Sequence, residues 1–224
     1  METFFTSVHQ VEFLARARRP LLLSRHRFSG EDGRSPRRTL PRSRVWWGLD
    51  SGGFNVLRKH GRYLVSARGY AEEACRYAEE VGSLAWCATM DWVCEPFVRE
   101  RTRKSVRWHQ MKTVESLLEL RSLAPGLPWM PVIQGWELRD YLECVALYLR
   151  NGIDLRAEPV VGVGSVCSRQ GMQEAALIVH ALARLDLKCH VFGYKRSGLP
   201  DVLHSCVSAD SAAWSRHARN NFFF

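Results

Sequence analysis

The stretch WMPVIQGWELRDYLECVALYLR, residues 129–150, carries in small form the pattern that decides the fold. Trp129–Gln134 is a short, nearly unbroken apolar run, as expected of a strand covered on both faces. After Gly135 the period changes. Leu138, Tyr141, Leu142, Val145 and Leu149 recur at helical spacing across 137–150. A buried strand that runs straight into an amphipathic helix is half of a parallel βα repeat.

Seven further runs of the same kind lie along the chain: Thr3–Val8, Leu21–Ser24, Val45–Leu49, Leu84–Met90, Pro159–Gly162, Cys189–Gly193 and Cys206–Ala209. Most lead into a helical pattern. Ala71, Ala74, Ala78 and Val81 mark a helix over 70–81, Val106, Val114, Leu117 and Leu118 a longer one over about 100–121, and another spans about 170–185. Eight buried strands alternating with helices predict an α/β fold, a TIM-type (β/α)8 barrel, single-domain and compact. The competing architecture is an open doubly wound sheet. The Gly-x-Gly-x-x-Gly turn that would favour it is missing after the first strand. The barrel domain is expected over 1–219, with a basic loop insertion at 25–44 and a tail at 220–224.

The 224 residues are 46% hydrophobic and 25% charged, which rules out wholesale disorder. No apolar stretch approaches the length of a membrane span, and charge interrupts the N-terminal apolar residues before they reach signal-peptide form. Seven cysteines with neither a CxxC pair nor zinc-site spacing read as reduced core thiols, and a cytoplasmic location is expected. The net charge of +9 favours a polyanionic partner. Two basic runs are candidates to meet phosphates: RHRFSGEDGRSPRRTLPRSR at 25–44, including Arg25, Arg27, Arg37 and Arg38, and RERTRKSVR at 99–107, including Arg99, Arg101, Arg103 and Lys104. The second is expected to open the long helix. Lys195 and Arg196, after the seventh run, join them by position. Either run could equally be a solvated face.

In a β/α barrel the chemistry sits at the C-terminal ends of the strands. There the runs deliver Asp50 in LDSGGF, Asp91 in TMDWVCEP, Gln134 in PVIQGW, the Gly162–Ser165 turn in VVGVGSVC, the segment FGYKRSG, and Asp210 in SADSAAW. An aspartate after a strand often caps a helix or closes a turn. Capping does not readily account for polar residues at consecutive strand ends. Several carboxylates in one water-poor mouth must split their pKa values, which suits glycosyl transfer: one attacks the anomeric carbon and another handles the leaving group's proton. Gln134 offers a donor and an acceptor to a purine edge, and Gly162 and Gly164 let backbone approach a flat ligand.

DSGGF (50–54), MD (90–91), QG (134–135), the glycine turn after the sixth run and the late Asp210 occur in the order found in tRNA-guanine transglycosylases, which the chain resembles over about 3–219. VGVGSVCSRQG (161–171), HVFGYKRSGL (190–199) and SADSAAWSRHAR (208–219) are more similar to the deazapurine DNA modification branch, DpdA. The resemblance implies a DNA transglycosylase that exchanges guanine for 7-cyano-7-deazaguanine (preQ0) or a related 7-deazapurine. In it Asp210 is the nucleophile that forms a covalent glycosyl-aspartate, and Asp50 the general acid/base. Asp91 and Gln134 read the base, with Gly135, Gly162, Gly164, Ser165, Ser51 and Gly52 in the same pocket; whether Val163 or Gly164 makes the backbone contact stays open. A free deazapurine base is the co-substrate, and neither a redox cofactor nor a metal is implied. The Cys/Cys/Cys/His zinc site that follows the barrel in the tRNA enzymes is not found before Phe224, which points to DNA over tRNA as partner. Helper proteins of a DNA-modification system are possible partners, and no membrane is expected. The alternatives are action on tRNA, an inert nucleic-acid-binding relative, and a small-molecule barrel enzyme with a phosphate site.

Overall fold

The computed structural model describes residues 1–29, 36–166, 173–194 and 198–211. Its strands are β1 Thr3–Ser7, β2 Leu21–Ser24, β3 Trp47–Asp50, β4 Leu84–Ala88, β5 Trp129–Met130, β6 Val132–Ile133, β7 Val161–Val163, β8 Cys189–Val191 and β9 Ser208–Ser211. All pair in parallel, in the order β5-β4-β3-β2-β1-β9-β8-β7-β6. The run expected as one strand at 129–134 is two, because Pro131 has no N–H to continue a ladder. Around it, Met130 O accepts from Thr89 N–H (3.1 Å) and Pro131 O accepts from Gly162 N–H (2.8 Å). β5 therefore pairs with β4 while β6 pairs with β7, and one extended stretch brings both edges together into a nearly closed barrel.

Alternation along the strands sorts side chains into two layers. Leu21, Leu23, Trp47, Leu49, Cys87, Ile133, Val161, Val163, Cys189, Val191 and Ala209 face the helices. Phe5, Leu22, Trp86, Ala88, Met130 and Val132 fill the interior, with Phe192 packed against them. Trp86 meets Phe5 edge-on at 5.4 Å. Such rings need gaps opposite them. A Cβ on Gly48 would lie 2.4 Å from Trp86 Cζ2, and one on Gly162 would lie 2.6 Å from Phe192 Cε2.

Helices cover the barrel unevenly: α1 Gly53–His60, α2 Ala67–Val81, α3 Pro96–Thr102, α4 Val106–Leu123, α5 Leu138–Arg150, α6 Gln173–Ala183 and the short α7 Leu199–Val202. Among the described residues the first two strands have no α-helix after them. A 3-10 turn, Val11–Ala15, buries Val11 and Leu14 behind β1. Behind β2 the basic insertion starts as a 3-10 turn whose Phe28 stacks on Tyr77 of α2 (4.2 Å). It then runs along α2, with Arg42 Nη1 donating to Glu79 O and Ser43 N–H to Val81 O. The long helix expected at about 100–121 is two helices. Arg103 takes a left-handed φ of 54° that ends α3, and Ser105 Oγ accepts from Trp108 N–H to start α4. The second basic run is thus a helix end plus a turn. Cys87, Cys94, Cys144, Cys189 and Cys206 are buried free thiols and Cys75 is an exposed one. Among the described residues no helix is long and apolar enough to cross a membrane.

Replacing Gly162 by alanine should force Phe192 out of its place in the interior. The expected loss is about 1–3 kcal/mol in chemical denaturation, with an unchanged m value.

Candidate active site

Asp50 and Asp210 are strand residues, not helix caps. Asp50 ends β3 opposite Ser24, and the N-cap of α1 is Gly52, with no side-chain capping bond. The Asp50 carboxylate instead accepts from the Ser24 hydroxyl and from Gly52 N–H. Gly52 reaches over it in a left-handed turn (φ 79°) open to glycine. Ser24 Oγ is itself 2.9 Å from His26 Nδ1. Burial pushes the Asp50 carboxyl above its ordinary range, and the neighbouring Asp210 charge adds to this.

Asp210, 3% exposed, lies in β9 opposite Phe5 of β1. Ser7 Oγ donates to its Oδ2 (2.5 Å) and Gly193 N–H to its Oδ1 (2.7 Å). Donors thus flank both carboxylate oxygens.

Asp91 sits past the end of β4, 7% exposed. Its Oδ1 accepts from Ser51 Oγ (2.8 Å) and its Oδ2 from Gln134 Nε2 (2.6 Å). Tyr63 OH braces the loop by donating to Asp91 O (2.8 Å), 3.1 Å from Ser51 Oγ. Burial pushes Asp91 up to about 7, with the Asp50 charge the next cause. Gln134 is fully buried. Its Oε1 lies 2.6 Å from Ser165 Oγ, and its backbone oxygen accepts from Gln110 Nε2 (3.0 Å). Ser165 holds a left-handed φ of 54°, unusual for serine, and is pinned there: its Oγ accepts from Cys94 N–H (2.7 Å) and lies 2.9 Å from Glu95 Oε2.

The four expected side chains therefore meet at one end of the barrel. Asp91 touches Gln134 directly, Asp50 feels the charge of Asp210, and Asp91 feels that of Asp50. The glycines behave differently from one another. Gly164 leaves room for Gln134, whose Nε2 would lie 2.2 Å from a Cβ there, and Gly135 leaves room for Tyr141 and Asp140 at the start of α5. Gly162 is mid-strand and gives its space to Phe192. A cavity of about 350 Å³ lies at the opposite end, between Trp86, Arg121, Trp129 and Glu158, and includes none of the four.

The basic residues also divide. Arg25 is held by Glu73 through two 2.6 Å contacts, Arg27 lies 2.5 Å from His9 Nδ1, Arg37 pairs with Glu12, and Arg99 Nε donates to Cys94 O. Arg38, Arg101, Arg103 and Lys104 are exposed. Lys195 and Arg196 lie outside the described residues. Arg58, Lys59, Arg62 and Arg107, which the sequence did not single out, are exposed beside Arg101, because α1 packs on α3 and Arg101 Nη2 donates to Lys59 O. Trp108 stands among them, with Lys104 and Lys112 over its ring at 5.5 and 5.9 Å. Sequence reasoning also missed Ser7 and Ser24, polar residues within two of the apolar runs, and Tyr63 and the buried Glu95.

Fold and site together define a β/α-barrel protein with an acid-rich polar centre at the C-terminal ends of its strands. The chain belongs to the DpdA family, deoxypurine in DNA protein A, which it matches over residues 1–223. Membership ties it to deazapurine modification of DNA. No curated protein matches the sequence.

An aspartate in an unfolded chain titrates near 4, so between about pH 4 and 7 the folded protein holds an extra proton on Asp91. That contribution is fully present at the acid end of the window and is lost as pH rises through 7. The raised Asp50 acts with the same sign. Asp91→Asn should flatten the fall in stability across this window, by on the order of a few kcal/mol, in denaturation series run at several pH values.

Proposed function

We propose that this protein exchanges guanine in DNA for 7-cyano-7-deazaguanine or a closely related 7-deazapurine, through a covalent glycosyl-aspartate. The observation that carries the reading is the meeting of Asp50, Asp91, Gln134 and Asp210 in one mouth, with Asp210 cradled by donors and Asp50 shifted towards its protonated form. A target guanine leaves the DNA stack to reach such a pocket. Asp210 attacks C1′ as the C1′–N9 bond breaks. The electron pair of that bond goes to the base, which takes a proton from Asp50. The free deazapurine then attacks C1′ and gives its N9 proton to Asp50, while the C1′–Asp210 bond breaks and returns its electrons to the carboxylate. Two inversions retain the β-linkage. Asp91 as a carboxylate accepts from the N1–H and 2-amino groups of the base, and Gln134 offers its amide to the same edge.

Several exposed basic side chains supply the grip on DNA in this reading: Arg58, Lys59 and Arg62 at the end of α1, and Arg101, Arg103, Lys104 and Arg107 around the α3–α4 turn. They sit on elements that directly follow β3 and β4, the strands leading to Asp50 and Asp91.

Incubation with DNA and labelled preQ0 should place label in the DNA. Asp210→Asn should lower incorporation by several orders of magnitude and abolish a covalent protein–DNA adduct on denaturing gels. Label entering tRNA but not DNA, or an Asp210→Asn variant as active as wild type, overturns the reading. The KM for the free base should rise as pH falls below about 7, where Asp91 gains its proton. Replacing Arg58 and Arg103 together by alanine should lower the salt slope of DNA binding by about 2, roughly 1 for each phosphate contact.

A further inference from the structure

β8 places a histidine where the barrel interior is otherwise aromatic and aliphatic. His190 is fully buried. Its ring stands nearly perpendicular to Phe5 (5.6 Å, 83°) and Phe192 (4.7 Å, 80°) and tilts against Trp86 (4.8 Å, 54°). Packing on three sides holds the imidazole in one orientation. Its Nδ1 lies 2.9 Å from Ser208 Oγ, the residue opposite it in the parallel register. The other nitrogen, Nε2, has no hydrogen-bond partner among the described residues, and it lies 3.5 Å from Oδ1 of Asp210, two residues further along β9.

A buried nitrogen without a partner is costly in such surroundings, and a phenyl ring would suit the same aromatic nest. The tautomer follows from the neighbours. A lone pair on Nε2 would face the lone pairs of Oδ1, whereas a proton there faces a negative oxygen. The Ser208 hydroxyl can then donate to Nδ1. This leaves a fixed N–H directed at the acid that the exchange reading makes the nucleophile.

We propose that His190 is a positioning residue for Asp210, its Nε2–H closing onto Oδ1 as the bond between the carboxylate and C1′ is made and broken. The proposal rests on the exchange reading above. Gly193 N–H and His190 both address Oδ1, which leaves Oδ2, held among the described residues by Ser7, as the attacking oxygen. Formation of the Oδ2–C1′ bond removes the negative charge from Asp210. Its cleavage returns an electron pair to the carboxylate, and a donor on Oδ1 stabilises that returning charge. His190 therefore acts most strongly on release of the glycosyl-aspartate.

The test uses the full chain, guanine-containing DNA and labelled preQ0. His190→Phe keeps the ring packing and loses the donor, while His190→Gln keeps an N–H near the Nε2 position. His190→Phe should lower kcat on the order of 10- to 100-fold, the worth of one hydrogen bond to a charged group, and should leave the KM for DNA within about two-fold. The covalent protein–DNA adduct should accumulate in His190→Phe, and His190→Gln should recover most of the rate. Unchanged kcat and adduct levels in His190→Phe overturn the proposal. So does a His190→Gln variant that melts like wild type yet turns over no faster than His190→Phe. A second measurement needs no turnover. Nitrogen NMR of the imidazole should show the proton on Nε2, with a signal that moves in Asp210→Asn; a proton on Nδ1, or an indifferent signal, overturns the pairing. Wild-type protein that gives neither adduct nor labelled DNA tells against the exchange reading alone, and the imidazole spectrum still decides the role of His190.

Discussion

Asp210 faces the barrel interior only because β9 lies between β1 and β8 in one register, with Phe5 opposite Asp210 and His190 opposite Ser208. Side chains alternate along a strand, so a slip of one residue would turn Asp210 outwards among the helices and put Ala209 or Ser211 in its place. The register is fixed from beneath by Phe5, Trp86, Phe192 and His190, whose rings interlock across the barrel and fit into the gaps left by Gly48 and Gly162. The acids above depend on that aromatic layer for their alignment.

The same layering explains why the acids differ in character. Asp210 has donors on both oxygens, whereas burial raises Asp50 and Asp91, with the charge of Asp210 adding to the first and that of Asp50 to the second. Around Asp91, Ser51, Gln134, Ser165 and Tyr63 form a hydrogen-bonded lattice that links the loops after β3, β4, β6 and β7. A lattice of this kind fixes the shape of a pocket more firmly than any single contact does, because each member orients the next. The left-handed Ser165 is a local cost of closing it.

Much of this was legible in the sequence. Short apolar runs that end in polar residues gave the strands, and the barrel rule turned their ends into Asp50, Asp91, Gln134 and Asp210. The boundaries of the last strand were less visible: it begins at Ser208, not Cys206, and so contains Asp210. The two-helix form of 96–123 turns on Arg103, whose backbone conformation carries no sequence signal, although Ser105 was available as a cap. Gly162 could be read as backbone for a ligand or as space for a neighbour, and only Phe192, thirty positions later, decides between them. His190 did leave a trace, as a polar residue inside the otherwise apolar run CHVFG. One histidine in a strand specifies nothing until its neighbours across the sheet are known.

Pro131 and the aromatic layer together make the barrel a vessel stopped at one end. Rings occupy the middle of its bore, and the polar mouth lies on one side of them. Whatever enters that mouth cannot depart through the floor. If two bases trade places on one sugar, the outgoing base and its replacement use the same doorway, one after the other, while the polymer stays seated across it.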